Sequence, residues 1–273
     1  MTSEPHIPLD PADPDRIRTT FGSIARRYDL ANHLLSLGID RSWRRRAVKL
    51  TAPSPADTLL DMCCGTGDFA FAFARAGVAS ITGCDFSEEM IQLAQTKQQR
   101  FTRTNKTSNT HFQWKVADCS AADFADCSFD IISCAFGIRN MADLRKSLAE
   151  MHRLLKPSGR LCILEFTLPR NPIVRAVYLL YFKYILPLAG GLISGRFSAY
   201  RHLASSVCKW HANVDLPAQL QNAGFTDIRT TPLSLGIAAA CTATRSASAH
   251  DSRLSSFPHP SHLSPTKQIN NPH

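Results

Sequence analysis

Short apolar or β-branched runs alternate along the chain with stretches of helical spacing. The runs are Thr58–Cys63, Ser80–Asp85, His111–Asp118, Phe129–Phe136 and Arg160–Phe166, each of a length that suits a buried strand. Phe69–Arg75 reads as a helix after the first of them. Leu144, Leu148, Met151 and Leu155 recur at three- and four-residue intervals, the stripe of one helix face. That helix stops at the turn signal Lys156-Pro157-Ser158-Gly159. Ile17–Leu50 is helical in pattern with a break near Gly38, and polar Gln98–Thr110 reads as a surface loop. Thr226–Leu233 and Gly236–Thr244 have little but Ser234-Leu235 between them, so they predict an antiparallel hairpin. The sum is an α/β fold: a doubly wound, mostly parallel, seven-stranded sheet with a terminal antiparallel hairpin and helices on both faces.

Ile173–Ile193 breaks the alternation. It is apolar and aromatic, but Lys183, Pro187 and Gly190-Gly191 interrupt it, and a membrane span needs about 20 clean apolar residues. It reads as a core helix or as a lid over a greasy ligand. Residues 1–15 form a polar, proline-rich lead, expected to be disordered, with no basic or apolar region of a signal peptide. Residues 246–273, rich in Ser, His and Pro, are an expected disordered tail. One domain is expected over 16–245, with 173–210 as a helical insert covering substrate.

Charge and cysteine usage narrow the setting. The net charge of +9 favours an anionic partner. Part of it is concentrated in Arg26-Arg27 and Arg41-x-x-Arg44-Arg45-Arg46, a membrane-facing surface or a solvated helix face. No aromatics alternate with these arginines as base stacking would require, so a membrane surface ranks above nucleic acid. Nine cysteines show no CxxC pair and no metal-ligand spacing. Those at Cys63, Cys84, Cys134 and Cys162 lie within apolar runs and read as buried thiols of a reducing compartment, with neither disulfides nor a metal site expected.

The chemistry is concentrated at Asp61-Met62-Cys63-Cys64-Gly65-Thr66-Gly67-Asp68, where a buried strand enters a glycine turn and then a helix. About twenty residues on, the second strand ends in Asp85. A glycine turn lets a ligand touch backbone, and an acid at the next strand tip can hold a ribose diol. Gly65-x-Gly67-x-x-Ala70 matches a loose dinucleotide fingerprint, so a dinucleotide-dependent oxidoreductase is one reading. Asp68 favours the other, S-adenosyl-L-methionine. A carboxylate at the helix N-terminus would repel a pyrophosphate but suits a cofactor bearing an ammonium and a sulfonium.

Several further motifs resemble one family. Phe21-Gly22-Ser23-Ile24-Ala25-Arg26-Arg27-Tyr28-Asp29, Asn32 and Leu35-Ser36-Leu37-Gly38-Ile39-Asp40-Arg41-x-Trp43-Arg44 resemble the entry segment of the quinone-biosynthesis C-methyltransferases. The glycine motif and Ala135-Phe136-Gly137-Ile138-Arg139-Asn140 are similar to its cofactor motif and its most distinctive internal motif. Leu154–Arg160, Leu164-Glu165-Phe166, Pro169, Asn171-Pro172, Ser198-x-Tyr200-Arg201-x-Leu203-x-x-Ser206 and Ala223-Gly224-Phe225 follow in order, and the resemblance covers about residues 17–245. Cys63-Cys64 stands where smaller residues are usual, Lys209–Asn213 replaces a Phe-Pro stretch, and Ala240-Cys241-Thr242 lacks an expected His.

The resemblance implies a Rossmann-like class I methyltransferase fold with N-terminal helices. It implies S-adenosyl-L-methionine held by Gly65, Thr66, Gly67, Asp85, Asp118, Cys119 and Ala135, with Asp118 near the adenine. The reaction it implies is C-methylation of a prenylated quinol ring, demethylmenaquinol or the related ubiquinone precursor. Arg139 and Asn140 would be catalytic, with Tyr28 closing over the cofactor beside Asp29. Arg139 can stabilise a phenolate or orient a water, because a guanidinium stays charged. His33 is a further candidate base, more ordinary as a structural residue. The implied setting is cytoplasmic, peripheral at the inner membrane face, in contact with anionic lipid and without nucleic acid. The oligomeric state stays open, with a homodimer among the options. A non-catalytic protein of the same fold is the third reading, and the intact Gly65–Asp68, Asp85 and Arg139-Asn140 set argues against it.

Overall fold

The computed structural model describes residues 38–105, 109–119, 121, 123–185 and 197–247, with the backbone alone for 197–204. The expected lead over 1–15, the helices before Gly38 and the tail from 248 onward lie outside the described residues, as do Tyr28, Asp29 and His33.

The strands are β1 (Thr58–Met62), β2 (Ser80–Asp85), β3 (His111–Val116), β4 (Phe129–Ala135), β5 (Leu155–Phe166), β6 (Phe225–Leu233) and β7 (Ala238–Arg245). They form one seven-stranded sheet in the order β3-β2-β1-β4-β5-β7-β6. The first five run parallel. β7 lies antiparallel between β5 and β6. The tight Ser234–Gly236 turn makes β6 and β7 the expected hairpin, and the reversal lets β7 slot in beside β5.

The helices are α1 (Ile39–Thr51), α2 (Asp68–Arg75), α3 (Glu88–Thr104), α4 (Leu144–Leu154), α5 (Pro172–Leu180), α6 (Phe197–Asn213) and α7 (Leu216–Asn222). Their starts follow local chemistry. Ser87 accepts from the Met90 N–H ahead of α3, and Asp143 from the Lys146 N–H ahead of α4. Asn171 accepts from the Ile173 and Val174 N–H groups, with Pro172 pre-set at the first turn of α5. A π-helical turn, Tyr181–Ile185, continues α5. One face of the sheet buries Trp43 of α1, Phe69 and Phe73 of α2 and Phe101 of α3. The other buries Leu148 and Met151 of α4 and Leu220 of α7. Both faces of β1, β2 and β4 are therefore covered, and these strands read as short buried runs for that reason, while the edge strand β3 exposes alternate residues.

Three expectations change. Gln98–Thr104 is not loop but the last turns of α3, because Phe101 packs inward and Gln98 accepts from the Trp114 indole N–H at 2.7 Å. Lys156–Gly159 does not separate α4 from β5. Leu155 already pairs with Phe129, and pairing resumes at Ile131 and Arg160, so the turn residues loop out within the strand. Arg44 is not a free surface cation. Its side chain is buried and paired with Asp40, while Arg41, Arg45 and Arg46 are exposed.

Candidate active site

The carboxyl ends of β1, β2, β4 and β5 converge on one rim of the sheet. At β1 the chain turns sharply. Cys63, Gly65 and Gly67 all have left-handed backbone, with φ of 52°, 53° and 85°. Such a φ costs a residue with a Cβ and little for glycine, so the strain falls on Cys63. A Cβ added at Gly65 would meet nothing within 4 Å, whereas one at Gly67 would strike the Trp114 ring at 2.6 Å. Gly65 therefore borders open space and Gly67 permits close packing. Trp114 is a packing residue: its ring also lies where a Cβ at Gly83 would stand.

Two acids hold this turn. Asp85 Oδ2 accepts from the Gly65 N–H at 2.8 Å and Oδ1 from the Ser87 N–H at 3.0 Å. Burial pushes its carboxyl up to about 6, against those backbone hydrogen bonds. Asp61, fully buried within β1, accepts from the Ser133 hydroxyl at 2.6 Å and from the Ala70 N–H at 3.1 Å. Burial pushes its carboxyl up to about 7, which these two bonds only partly offset. Asp61 ties β1, β4 and the start of α2 together. Asp85 joins the glycine turn to the second strand tip.

The other expected cofactor residues are spread around the turn. Thr66 is buried, and its hydroxyl accepts from Lys97 at 2.6 Å. Its side chain is thus engaged within the protein. Lys97 also pairs with Asp68 at 2.8 Å. The repulsion that Asp68 would exert on a pyrophosphate is correspondingly weakened. Asp118 is exposed, two residues past the end of β3. Cys119 is buried, with its sulfur accepting from the Cys63 N–H at 3.1 Å and lying 3.7 Å from Cys84 Sγ. These neighbours lower the Cys119 thiol and raise those of Cys63 and Cys84. Ala135 is the half-buried last residue of β4. All nine cysteines are free thiols.

After Ala135 the chain turns through Phe136, another residue with positive φ (58°), into a short 3-10 helix, Ile138–Asn140. Strain of this kind gathers at functional sites. This helix abuts the glycine turn: a Cβ added at Gly137 would stand 2.5 Å from Cys63 Cβ. The fold thereby brings Arg139 and Asn140 to the same rim as Gly65 and Asp85. Arg139 donates through Nη1 to the Phe136 carbonyl at 2.7 Å and to Glu165 Oε1 at 2.6 Å. The two side chains of this ion pair are 3% and 4% exposed. Phe166 lies under the guanidinium, 5.6 Å from its carbon to the ring centroid. Asn140 is half-buried at the end of the same turn.

Sequence reasoning did not single out Glu165 or Tyr178 as site residues. Glu165 is the penultimate residue of β5, and among the described residues its buried Oε2 has no hydrogen-bond partner, nor has the buried Tyr178 hydroxyl on α5. Burial raises the Glu165 carboxyl although the Arg139 charge pulls it down. An acid inside the apolar run Leu161–Phe166 was the available signal. Tyr178 offered none, since an aromatic in an apolar helix ordinarily packs. Lys97 offered none either, because its partner Asp68 is remote in sequence.

The chain has counterparts among known proteins. The chain matches the ubiE/COQ5 methyltransferase family over residues 11–245. It is 44% identical over 226 residues to "Ubiquinone/menaquinone biosynthesis C-methyltransferase UbiE" of Citrifermentans bemidjiense, covering 82% of this chain and 94% of that protein. It is 42% identical over 220 residues to "Demethylmenaquinone methyltransferase" of Thermus thermophilus, covering 80% and 96%. Among solved structures, a "SAM-dependent methyltransferase, possible histamine N-methyltransferase" of Thermotoga maritima superposes with a TM-score of 0.54 at 16% identity. That likeness covers 84% of this chain and 99% of that one and shares the fold.

Proposed function

The chain belongs to the ubiE/COQ5 methyltransferase family, and from that premise we propose that it methylates a ring carbon of demethylmenaquinol, with S-adenosyl-L-methionine as donor. It is a C-methyltransferase of quinone biosynthesis, and the relatives' names carry that class. The naphthoquinol is favoured because relatives named for demethylmenaquinone alone align over most of the chain. The ubiquinone precursor, a benzoquinol, is the second reading, since other relatives are named for both quinones.

The residues at the rim fit the cofactor. Gly65 borders open space and lies against Asp85, whose carboxylate retains lone pairs for a ribose diol beyond the two backbone bonds it accepts. The Thr66 and Gly67 backbone, Ala135 and Cys119 would wall the site, with Asp118 accepting from the adenine amine. When bound, the cofactor supplies an electrophilic methyl on a positively charged sulfur. The family assignment decides between this cofactor and a dinucleotide, because Lys97 takes up the charge of Asp68.

The observation that carries the chemistry is the buried guanidinium of Arg139 at this rim, in a turn packed on the glycine turn. A ring carbon is a poor nucleophile until the neighbouring hydroxyl ionises, and a phenol has a pKa of about 10, by analogy with Tyr. A fixed cation in a dry site favours the ionised form. Arg139 fills that role, Asn140 orients the ring oxygen, and Tyr28, outside the described residues, closes over the cofactor. The 173–210 insert excludes water.

A polyprenyl substrate brings the enzyme to a bilayer. No helix among the described residues is long and apolar enough to cross a membrane. The contact proposed is peripheral, at the inner face. Ile173, Val177, Leu180 and Tyr184, 56% or more exposed as is Ile185, fall on one side of α5 and its π turn. Arg41, Arg45 and Arg46 add exposed cations on α1 that suit anionic lipid.

The test is label transfer. Protein given tritium-methyl S-adenosyl-L-methionine with a reduced, short-tailed demethylmenaquinol should yield a labelled C-methyl naphthoquinol by mass spectrometry. Faster turnover of the benzoquinol counterpart would reverse the substrate order. Transfer to oxygen, or to neither ring, would refute the function.

A further inference from the structure

The proposed reaction leaves one requirement unmet: Arg139 can stabilise a phenolate but cannot take its proton, because a guanidinium does not deprotonate in the working range. The same buried cluster holds the missing group. Glu165 uses Oε1 on Arg139 and on the Phe166 N–H, 2.6 and 2.8 Å away. Its Oε2 is buried with no hydrogen-bond partner among the described residues, and so is the Tyr178 hydroxyl. Buried polar atoms are nearly always paired, and an orphan of this kind calls for an explanation. Two orphans share this neighbourhood, since Phe166, which follows Glu165 and lies under the Arg139 guanidinium, packs against the buried cluster that holds Tyr178. Glu165 is at the carboxyl end of β5, where Leu164 pairs with Ala135, the residue that leads into the Arg139 turn. An acceptor and a donor–acceptor with no hydrogen-bond partner among the described residues, beside a fixed cation, match an ionisable ring hydroxyl.

Resting on the quinol methyltransferase reading, we infer that Glu165 is the proton acceptor of the reaction: Oε2 takes the ring hydroxyl proton while Oε1 stays on Arg139, and the Tyr178 hydroxyl holds the same ring oxygen. The O–H bond breaks, its electron pair stays on the ring oxygen, and the proton forms a carboxylic acid on Glu165. The Arg139 cation then faces one anion in place of another, so the proton transfer adds no net charge to the buried site. Over a turnover the ring also loses one C–H proton to solvent. Glu165 returns its own proton to the ring oxygen, so one proton leaves per methyl. The preference of a buried carboxyl for its neutral form supports the uptake. Among the described residues, the charged and titratable groups facing Glu165 are Arg139 and Tyr178, with Tyr181 and Cys208 next to Tyr178.

The first measurement needs neither cofactor nor turnover. A prenylated naphthol made acidic by a nitro group is an anion at neutral pH. Its binding is followed by calorimetry in two buffers of different ionisation enthalpy. Wild-type protein should take up about one proton per bound anion, because Arg139 cannot balance two. Glu165→Gln should bind with none. Binding without proton uptake by wild type, or equal uptake by the variant, overturns the inference.

The second measurement is the pH profile of methyl transfer. In wild type, turnover should level off once Glu165 is ionised. In Glu165→Gln it should be at least tenfold lower near neutrality and climb about tenfold per pH unit, as hydroxide replaces the lost acceptor. A loss independent of pH would mark a structural ion pair and overturn the inference. Should Glu165→Gln fail to fold, Glu165→Asp keeps the carboxylate one methylene back. It should still take up the proton on binding yet turn over slowly, and wild-type turnover would overturn the assignment. Wild-type protein that methylates no quinol refutes the proposed function. Glu165→Gln that methylates as wild type does refutes only this inference.

Discussion

The backbone N–H of Gly65 donates to Asp85 Oδ2 at 2.8 Å, so the turn after β1 and the acid after β2 act as one unit. An acid that merely faced a ribose would leave the turn unchanged when removed. Here the same carboxylate sets the turn. Asp85→Ala should therefore weaken S-adenosyl-L-methionine binding at least tenfold in calorimetry, since hydrogen bonds to a charged group are worth about 1.5–3 kcal/mol each. Unchanged affinity would remove Asp85 from the cofactor site.

The same carboxylate gives binding a pH dependence. Burial raises Asp85 to about 6. Below that value it carries a proton and loses acceptor capacity, so affinity should fall as pH drops through about 6 and be flat well above it. Asp85→Asn should flatten the dependence at reduced affinity. A wild-type profile flat from pH 5 to pH 8, on the order of the range where such a group titrates, would contradict the assignment.

Arg139→Lys keeps the charge but shortens the side chain and loses the planar guanidinium whose Nη1 reaches both the Phe136 carbonyl and Glu165. Losing one charge-assisted hydrogen bond of about 1.5–3 kcal/mol at the reacting oxygen corresponds to about one to two decades in rate. Turnover should fall by that much while cofactor affinity stays near wild type. Wild-type turnover would remove Arg139 from the mechanism.

Asp61 should make the fold less stable as pH rises. Its folded value, about 7, lies above the unfolded one. Between the two, the folded state keeps a proton that the unfolded state has released. Stability contributed by this group is full at low pH, falls through that window and levels above about 7. Asp61→Asn mimics the protonated form and should remove that slope in urea unfolding at pH 5 and pH 8. Each tenfold difference in proton affinity between the folded and unfolded states corresponds to about 1.4 kcal/mol. An unaltered slope would show that Asp61 is not its source.

Among the arginines of α1, membrane contact should follow only the exposed ones. Changing Arg41, Arg45 and Arg46 together to Glu should reduce sedimentation with anionic vesicles at low salt, at about 1 kcal/mol for each cation lost near the surface. Arg44 does not belong in that set, because it is buried on Asp40 and its loss would report on folding. Equal recovery with neutral and anionic vesicles would leave the arginine run a solvated face.

The strands were legible because those buried on both sides are short apolar runs, and the Ser234-Leu235 link announced the hairpin. The end of α3 was not. Its outer face is polar like a loop, and Phe101 and Gln98 only reveal their role once Phe71, Phe112 and Trp114 are in place. The glycine turn and Asp85 were readable as a site because spacing along two adjacent strands fixes them. The Arg139–Glu165 pair was not, since its members stand on separate strand ends that only the parallel sheet makes neighbours. Arg44 was misread for a related reason: a charge run in sequence divides between two faces of a helix, and one of its members turns inward to Asp40 and the Phe136 ring.

The position of β7 has a consequence for the order in which the fold can form during synthesis. Residues 58–166 supply all five parallel strands, yet the outer edge of β5 stays open until residues 238–245 emerge and fill it. β6, although made earlier, reaches the sheet only through β7. Arg245 closes the assembly by donating to the Arg153 carbonyl where α4 passes into β5. A nascent chain therefore carries a bare, hydrogen-bonding edge of an apolar strand for the time needed to translate residues 167–237, and such an edge invites pairing with another chain. Truncation upstream of β7 would make that interval permanent, and the shortened product should be recovered as aggregate.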